Sequence, residues 1–228
     1  MDWDQYWLRA KGTHRRGLYE VVAQFYRDQI ISPEASRVLL SHFTDSSSCR
    51  YLHAGCGSGG SDGRIRFTQS QFHLVDFSPV ALGLHRQQPL PFQRRYVCGD
   101  ILRLPYASES MDGIFNLGVM EHFTKAQIGA ILMEFHRVLK RTGKLILFWP
   151  PKFGLSVVVL STFLWAVNRF RREPLKLYPD EITRIPSLRW VRHLMENQRF
   201  RVLEVTYGWR DLFTNVAVVA EKPIDANS

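Results

Sequence analysis

Two short stretches of this chain combine residue types and spacings suited to chemistry. The first is YLHAGCGSGG, residues 51–60, where an apolar run enters Gly55, Gly57, Gly59 and Gly60. Glycine has no Cβ, so such a turn bends tightly and lets a ligand approach the backbone. The second is Glu121-His122. A histidine titrates near neutral pH and can relieve a weakly acidic nucleophile of its proton. Between them, three apolar runs end in polar groups: FHLVDF around Asp76, 17 residues after Gly59, RYVCGDI at Asp100 and Ile101, and GIFNLG at Asn116. A carboxylate at position 76 can accept two ribose hydroxyls. The acid of Asp100, beside a backbone N–H, can read an adenine amino group and ring nitrogen. Three successive ends thus suit an adenosine.

Such groups converge only if strands carry them to one edge. The runs CRYLHA, FHLVDF, RYVCGDI, GIFNLGV and KLILFW alternate with helical patterns, which predicts a parallel sheet covered on both faces. Ser78-Pro79 is expected to open one helix. Thr124 is expected to cap another, in which Ile128, Ile131, Leu132, Phe135, Val138 and Leu139 share a face and Gly143 ends the element. The first forty residues read as helical: Leu18, Val21, Val22, Phe25 and Tyr26 fall on one apolar face, and Ser32-Pro33 resembles a further helix start. FRVLEVTYG and FTNVAVVAEK are two more strands joined by a short turn, which suggests an antiparallel edge. One domain over 1–228 is expected: an N-terminal helical segment (1–47), a core (48–150), an insert (151–199) and a C-terminal strand pair (200–223). The insert is too long for a simple connection and reads as a lid.

Hydrophobic residues make up 45% and aromatics 13%, enough for a sizeable core. Three cysteines, Cys49, Cys56 and Cys98, make no disulfide framework and are expected as reduced thiols in a cytoplasmic protein. The leading MDWDQYWLRAKGTHRR has no apolar core, so no signal peptide is expected. The net charge of +9 is scattered in small groups, which does not choose among nucleic acid, membrane and acidic substrate.

Gly55-Cys-Gly57-Ser-Gly-Gly60 also satisfies the dinucleotide pattern G-x-G-x-x-G. That reading explains the glycines and Asp76 but not Asp100, and no substrate domain follows. The whole set, LHAGCGSGG, VDFSP, GDILRLP, MDGIFNLGVMEHF and GKLILFWPP, resembles the class I S-adenosylmethionine-dependent methyltransferases, well over roughly 48–150 and in outline over the last two strands. The resemblance implies a Rossmann-like seven-stranded, mostly parallel sheet with its last strand antiparallel. It implies S-adenosylmethionine as cofactor, with Gly55, Gly57 and Gly59 near its methionine part, Asp76 on the ribose, Phe77 near the adenine, Asp100 and Ile101 on the adenine edge and Asn116 near the sulfonium. In related enzymes the leading segment closes over the cofactor. Tyr6 and Trp7 could cover it here and His14 or Arg15 meet its carboxylate, while the alternative is an aromatic segment, Trp3 included, packed on the sheet. His122 and Glu121 are the catalytic candidates, with His122 as base; the alternative is that His122 packs under the lid and Glu121 caps the next turn.

Two departures matter. The family usually has an acid two residues before the first glycine, and here that position is His53. Some related quinone-pathway O-methyltransferases hold a metal with E-x-x-E-H, and this chain has Gly118 at the first of those positions, so no metal is expected.

From Phe153 to Asn168 the insert carries no charge, and Arg169, Arg171 and Arg172 follow. Its 16 residues fall short of the ~20 needed to span a bilayer. A buried lid helix over an apolar or lipid-like acceptor, a homodimer contact and peripheral contact of 153–172 with the inner face of a membrane all remain open. Pro179-Asp180-Glu181 and Ser187 are expected to start two further helices. The expected activity is methyl transfer to a small, apolar or amphiphilic acceptor. Nucleic acid is a less attractive substrate, because no added binding domain or aromatic-basic platform is visible. The alternatives are an RNA or protein methyltransferase and a non-catalytic cofactor-binding protein.

Overall fold

The computed structural model describes residues 3–12, 24–153, 169 and 181–224. Seven strands form one sheet in the order β3-β2-β1-β4-β5-β7-β6. They are β1 (Arg50–Ala54), β2 (Gln71–Asp76), β3 (Gln93–Cys98), β4 (Met111–Leu117), β5 (Leu139–Trp149), β6 (Arg201–Thr206) and β7 (Val216–Glu221). β1 to β5 pair in parallel, and β7 runs antiparallel to both β5 and β6. The strand order reverses between β1 and β4, so their carboxyl ends part and leave a crevice.

The apolar runs are nearly continuous because both faces of the sheet are covered. Leu52 and Ala54 of β1 and Leu145, Leu147 and Trp149 of β5 pack on one face, with Ile128, Ile131, Leu132, Phe135 and Val138 of one helix and Val191 and Met195 of another. Tyr51 of β1 and Ile146 and Phe148 of β5 pack on the other, with Val38, Leu39, Phe67, Phe72, Leu82 and Phe115. The helices involved are α1 (Trp3–Gly12), α2 (Ser32–His42), α3 (Pro79–His85), α4 (Lys125–Val138) and α5 (Leu188–Asn197). Ser78 caps α3 by accepting from Ala81 N–H, Thr124 and Gln127 form a reciprocal capping box on α4, and Ser187 caps α5 through Trp190 N–H.

Several boundaries differ from the sequence reading. Ser32 does not cap a fresh helix start: a π-helical turn, Arg27–Ile31, runs directly into α2, and Ser32 N–H donates to Arg27 O. The wider turn accommodates Pro33, which lacks an N–H and would crowd an ordinary α-helix. Phe25, expected on an apolar face, is exposed, whereas Leu18, Val21 and Val22 lie outside the described residues. Gly143 does not end α4; that helix stops at Val138, and Leu139 already pairs with Met111 as the first residue of β5. The register shift before Gly113–Lys144 absorbs the extra residues. Glu181 is not helical, while Pro179 and Asp180 lie outside the described residues. β6 and β7 are joined by more than a tight turn: Trp209–Asp211 forms a 3-10 turn, followed by left-handed Leu212 and Phe213.

Gly113 in β4 is the tightest point of the second face. Phe43 stacks on Tyr51 with centroids 4.3 Å apart. A Cβ on Gly113 would stand 2.5 Å from Phe43 Cε1 and 3.0 Å from Tyr51 Cδ1. Gly113→Ala is expected to lower stability by about 1–3 kcal/mol, an overpacking cost, read as a lower midpoint in urea unfolding. An unchanged midpoint would show that this ring stack yields freely.

Candidate active site

The crevice is built by the loops after β1, β2 and β4. After β1 the chain turns through Gly55, Gly57 and Gly59, all left-handed, with φ of 75°, 53° and 74°. The turn is pinned from β2: Gly55 and Cys56 N–H both donate to Val75 O. Gly57 N–H donates to Asp76 Oδ2 at 2.8 Å, and Ser78 N–H donates to Asp76 Oδ1 at 2.9 Å. Asp76 is buried at the end of its strand, and burial pushes its carboxyl above the usual carboxylate range while the two N–H donors pull it back. Each carboxylate oxygen keeps a free acceptor direction for a ligand hydroxyl.

The loop after β4 closes the other side. Val119 packs so tightly on the glycine turn that a Cβ on Gly55 would lie 2.8 Å from its Cγ2. Gly118 is left-handed, and a Cβ there would be 3.4 Å from Glu121 Oε1. The carboxyl of Glu121 is buried, and its Oε2 has no hydrogen-bond partner among the described residues. Burial in low dielectric pushes its pKa up to about 8, and nearby Glu181 adds to this while Arg184 opposes it. Its backbone carbonyl accepts from Ile182 and Thr183 N–H, and Trp149 Nε1–H donates to Thr183 O, so this stretch is sewn to β5. Asn116 is completely buried rather than open to the crevice, and neither its Oδ1 nor its Nδ2 has a partner among the described residues.

Helix α1 lies across the opening. Trp7 stands against the glycine turn, with ring atoms 3.1 Å from where a Cβ of Gly57 would be. Tyr6 meets Trp7 edge-on at 5.0 Å. Trp3 meets His122 at 5.0 Å and Phe77 at 6.5 Å, both edge-on, and Asp4 accepts a hydrogen bond from Ser78 Oγ. The aromatic segment therefore reaches both the glycine turn and the catalytic candidate. Phe77 is exposed. The exposed Asp100 turns its Oδ1 to Leu102 N–H at 2.9 Å, and the buried Ile101 joins the core. His14, Arg15 and most of 151–180, including nearly all of the apolar stretch from Phe153 to Asn168, lie outside the described residues.

Sequence reasoning missed Asp62 and His85. His53 Nδ1 and His85 Nε2 each lie 3.0 Å from Asp62 Oδ2, all three buried beneath the glycine turn. Desolvation alone would raise the Asp62 pKa, yet the two imidazoles hold it well below the usual carboxylate range. The available signal was His53 itself: a histidine in an otherwise apolar strand needs a polar partner.

Residues 52–147 match the family described as methyltransferase domain. The malonyl-[acyl-carrier protein] O-methyltransferase of Laribacter hongkongensis is 30% identical over 151 residues, which span 61% of this chain and 48% of that protein, so the chain covers about half of this curated relative. Magnesium protoporphyrin IX methyltransferase from Synechocystis with bound SAH superposes with a TM-score of 0.66 at 16% identity, covering 95% of this chain and 92% of that one. Geranyl diphosphate C-methyltransferase from Streptomyces coelicolor superposes with a TM-score of 0.56 at 16% identity, covering 83% and 77%. At such identities these structures establish the shared fold.

The buried carboxyl of Glu121 has a measurable consequence. A group neutral when folded and ionised when unfolded contributes stability below about pH 4.5 that is lost as pH rises towards 8. Glu121→Gln, which cannot ionise, is expected to exceed the parent by about 1–3 kcal/mol at pH 7, with the gap shrinking towards pH 5. Chemical denaturation at both pH values reads this, and a gap that does not depend on pH would mean that Glu121 is ionised in the folded protein.

Proposed function

We propose that this chain, whose residues 52–147 match the methyltransferase domain family, is a class I S-adenosylmethionine-dependent methyltransferase that transfers a methyl group from S-adenosylmethionine to a small acceptor. The observation that carries this reading is the pairing of three left-handed glycines after β1 with the buried Asp76 carboxylate at the end of β2. Asp76 fits the cofactor because it retains acceptor capacity for both ribose hydroxyls, while the glycines give the turn its left-handed shape with their Cβ directions filled by Val119, Trp7 and His85. Phe77 offers an exposed ring to the adenine, with Asp100 and the backbone of Ile101 at its edge. Asn116, whose buried amide has no partner among the described residues, is assigned to the reacting end. Tyr6 and Trp7 cover the cofactor from α1, and the charge of Arg15, outside the described residues, is assigned to its carboxylate.

Bound S-adenosylmethionine supplies an activated methyl carbon, so the chain's own task is to align a nucleophile and exclude water. His122 takes the proton of an acceptor hydroxyl or similar weak acid. Glu121, neutral near pH 7, serves as a hydrogen-bond donor beside it rather than as a second base. The acceptor is apolar or amphiphilic. The uncharged sequence from Phe153 to Asn168 supports this, as does the aromatic run in which Phe153 meets Tyr207 at 5.2 Å and Tyr207 meets Phe213 at 5.3 Å. The curated relative is named for malonyl-[acyl-carrier protein] and two neighbours in fold for magnesium protoporphyrin IX and geranyl diphosphate. No helix among the described residues is long and apolar enough to cross a membrane.

Calorimetry should show S-adenosylhomocysteine binding with little response to NAD. Asp76→Ala should weaken that binding by about tenfold to several hundredfold, since charged hydrogen bonds to two hydroxyls are lost. Equal affinity in a folded Asp76→Ala protein would remove the assignment. His122→Ala should lower turnover of labelled cofactor on apolar acceptors by about 10²–10⁴-fold with product affinity nearly intact. A matched loss of stability and activity would instead make His122 a packing residue under Trp3.

A further inference from the structure

Beneath the glycine turn lies a buried polar cluster that the proposed chemistry does not use. His53 belongs to β1, Asp62 to the short 3-10 turn Asp62–Arg64 that ends the glycine-rich loop, and His85 to the last turn of α3. Their ligand-type atoms all lie within 4.8 Å of one another. Both imidazoles point at a single oxygen, Asp62 Oδ2, at 3.0 Å. Asp62 N–H donates to Gly59 O at 3.0 Å, so the same residue also closes the turn. The ring of His85 fills the space below Gly59: a Cβ there would meet three of its atoms at 2.8–2.9 Å. Tyr96 of β3 lies 3.3 Å from His85 Nδ1, and Phe115 of β4 stacks on His53 with centroids 4.2 Å apart.

We infer that Asp62, held by His53 and His85, is the positioning residue that fixes Gly59, and with it the end of the glycine turn, in the left-handed shape the ligand requires. Asp62 is buried beneath the turn. It ties the loop to β1 on one side and to α3 on the other, so the turn is already shaped before anything binds. A buried carboxylate stays ionised only if its partners compensate for lost hydration, and two N–H donors on one oxygen meet that demand. The alternative occupant of three such residues is a divalent metal ion. The separations favour hydrogen bonds, because both imidazoles already stand at donor distance from the shared oxygen, and the backbone of Gly59 occupies the space above His85.

This inference rests on the proposed ligand for its affinity readout but not for its structural one. Asp62→Asn keeps shape and removes charge. It is expected to weaken S-adenosylhomocysteine about tenfold and to speed amide exchange at residues 57–62 in the ligand-free protein. The histidines give a second series that does not depend on the Asp62 variant folding. His53→Asn and His85→Gln retain an N–H near Nδ1 and Nε2 respectively, and should stay within about threefold of the parent. His53→Leu and His85→Leu should lose about tenfold or more. Parent-like affinity and exchange in Asp62→Asn, or in both leucine variants, would overturn the inference. So would calorimetric binding of one Zn²⁺ per chain that disappears in His85→Leu, which would make the cluster a metal site. If the parent fails to bind S-adenosylhomocysteine, the proposed function falls, while amide exchange still decides whether Asp62 sets the loop.

Discussion

The carboxylate of Asp76 joins three pieces of chain at one point. It sits at the end of β2, accepts Gly57 N–H from the loop after β1, and accepts Ser78 N–H at the start of α3. Ser78 then caps α3 and donates its hydroxyl proton to Asp4 of α1. A buried carboxylate satisfied by backbone donors is costly to leave unpaired, so the ends of two strands and the beginnings of two helices share one anchor. The crevice keeps its shape because moving any one of them breaks a charge-assisted hydrogen bond.

Two buried polar groups flank this anchor on opposite faces of the sheet. On the Phe115 face, His53, Asp62 and His85 satisfy one another. On the Ile114 face, Asn116 and Glu121 Oε2 do not. A satisfied cluster makes the scaffold rigid, whereas unsatisfied buried groups usually cost about 1–3 kcal/mol each and call for a partner. The asymmetry puts the satisfied cluster under the glycine turn and the unsatisfied groups on the opposite face.

The sheet was legible because its strands, buried on both faces, leave long apolar runs, and because Ser78, Thr124 and Ser187 are strong local caps. The end of α4 was not. Gly143 follows a helical pattern and looks like a terminus, yet tertiary pairing of Leu139 with Met111 ends the helix at Val138. Ser32-Pro33 does open α2 with proline in its first turn, but a π turn upstream runs into it, so Ser32 is not its cap, and no short-range spacing announces that. In the site, the glycines and Asp76 could be read from order along the chain, since each follows its own strand. Asp62 and His85 could not, because their meeting depends on how α3 folds back under the glycine turn. The burial of Asn116, likewise, depends on packing across β4 rather than on its neighbours in sequence.

Helix α1 places Trp7 on the glycine turn and Trp3 on His122, four residues apart on one rigid segment. Any displacement of this helix would therefore uncover the glycine turn and His122 together.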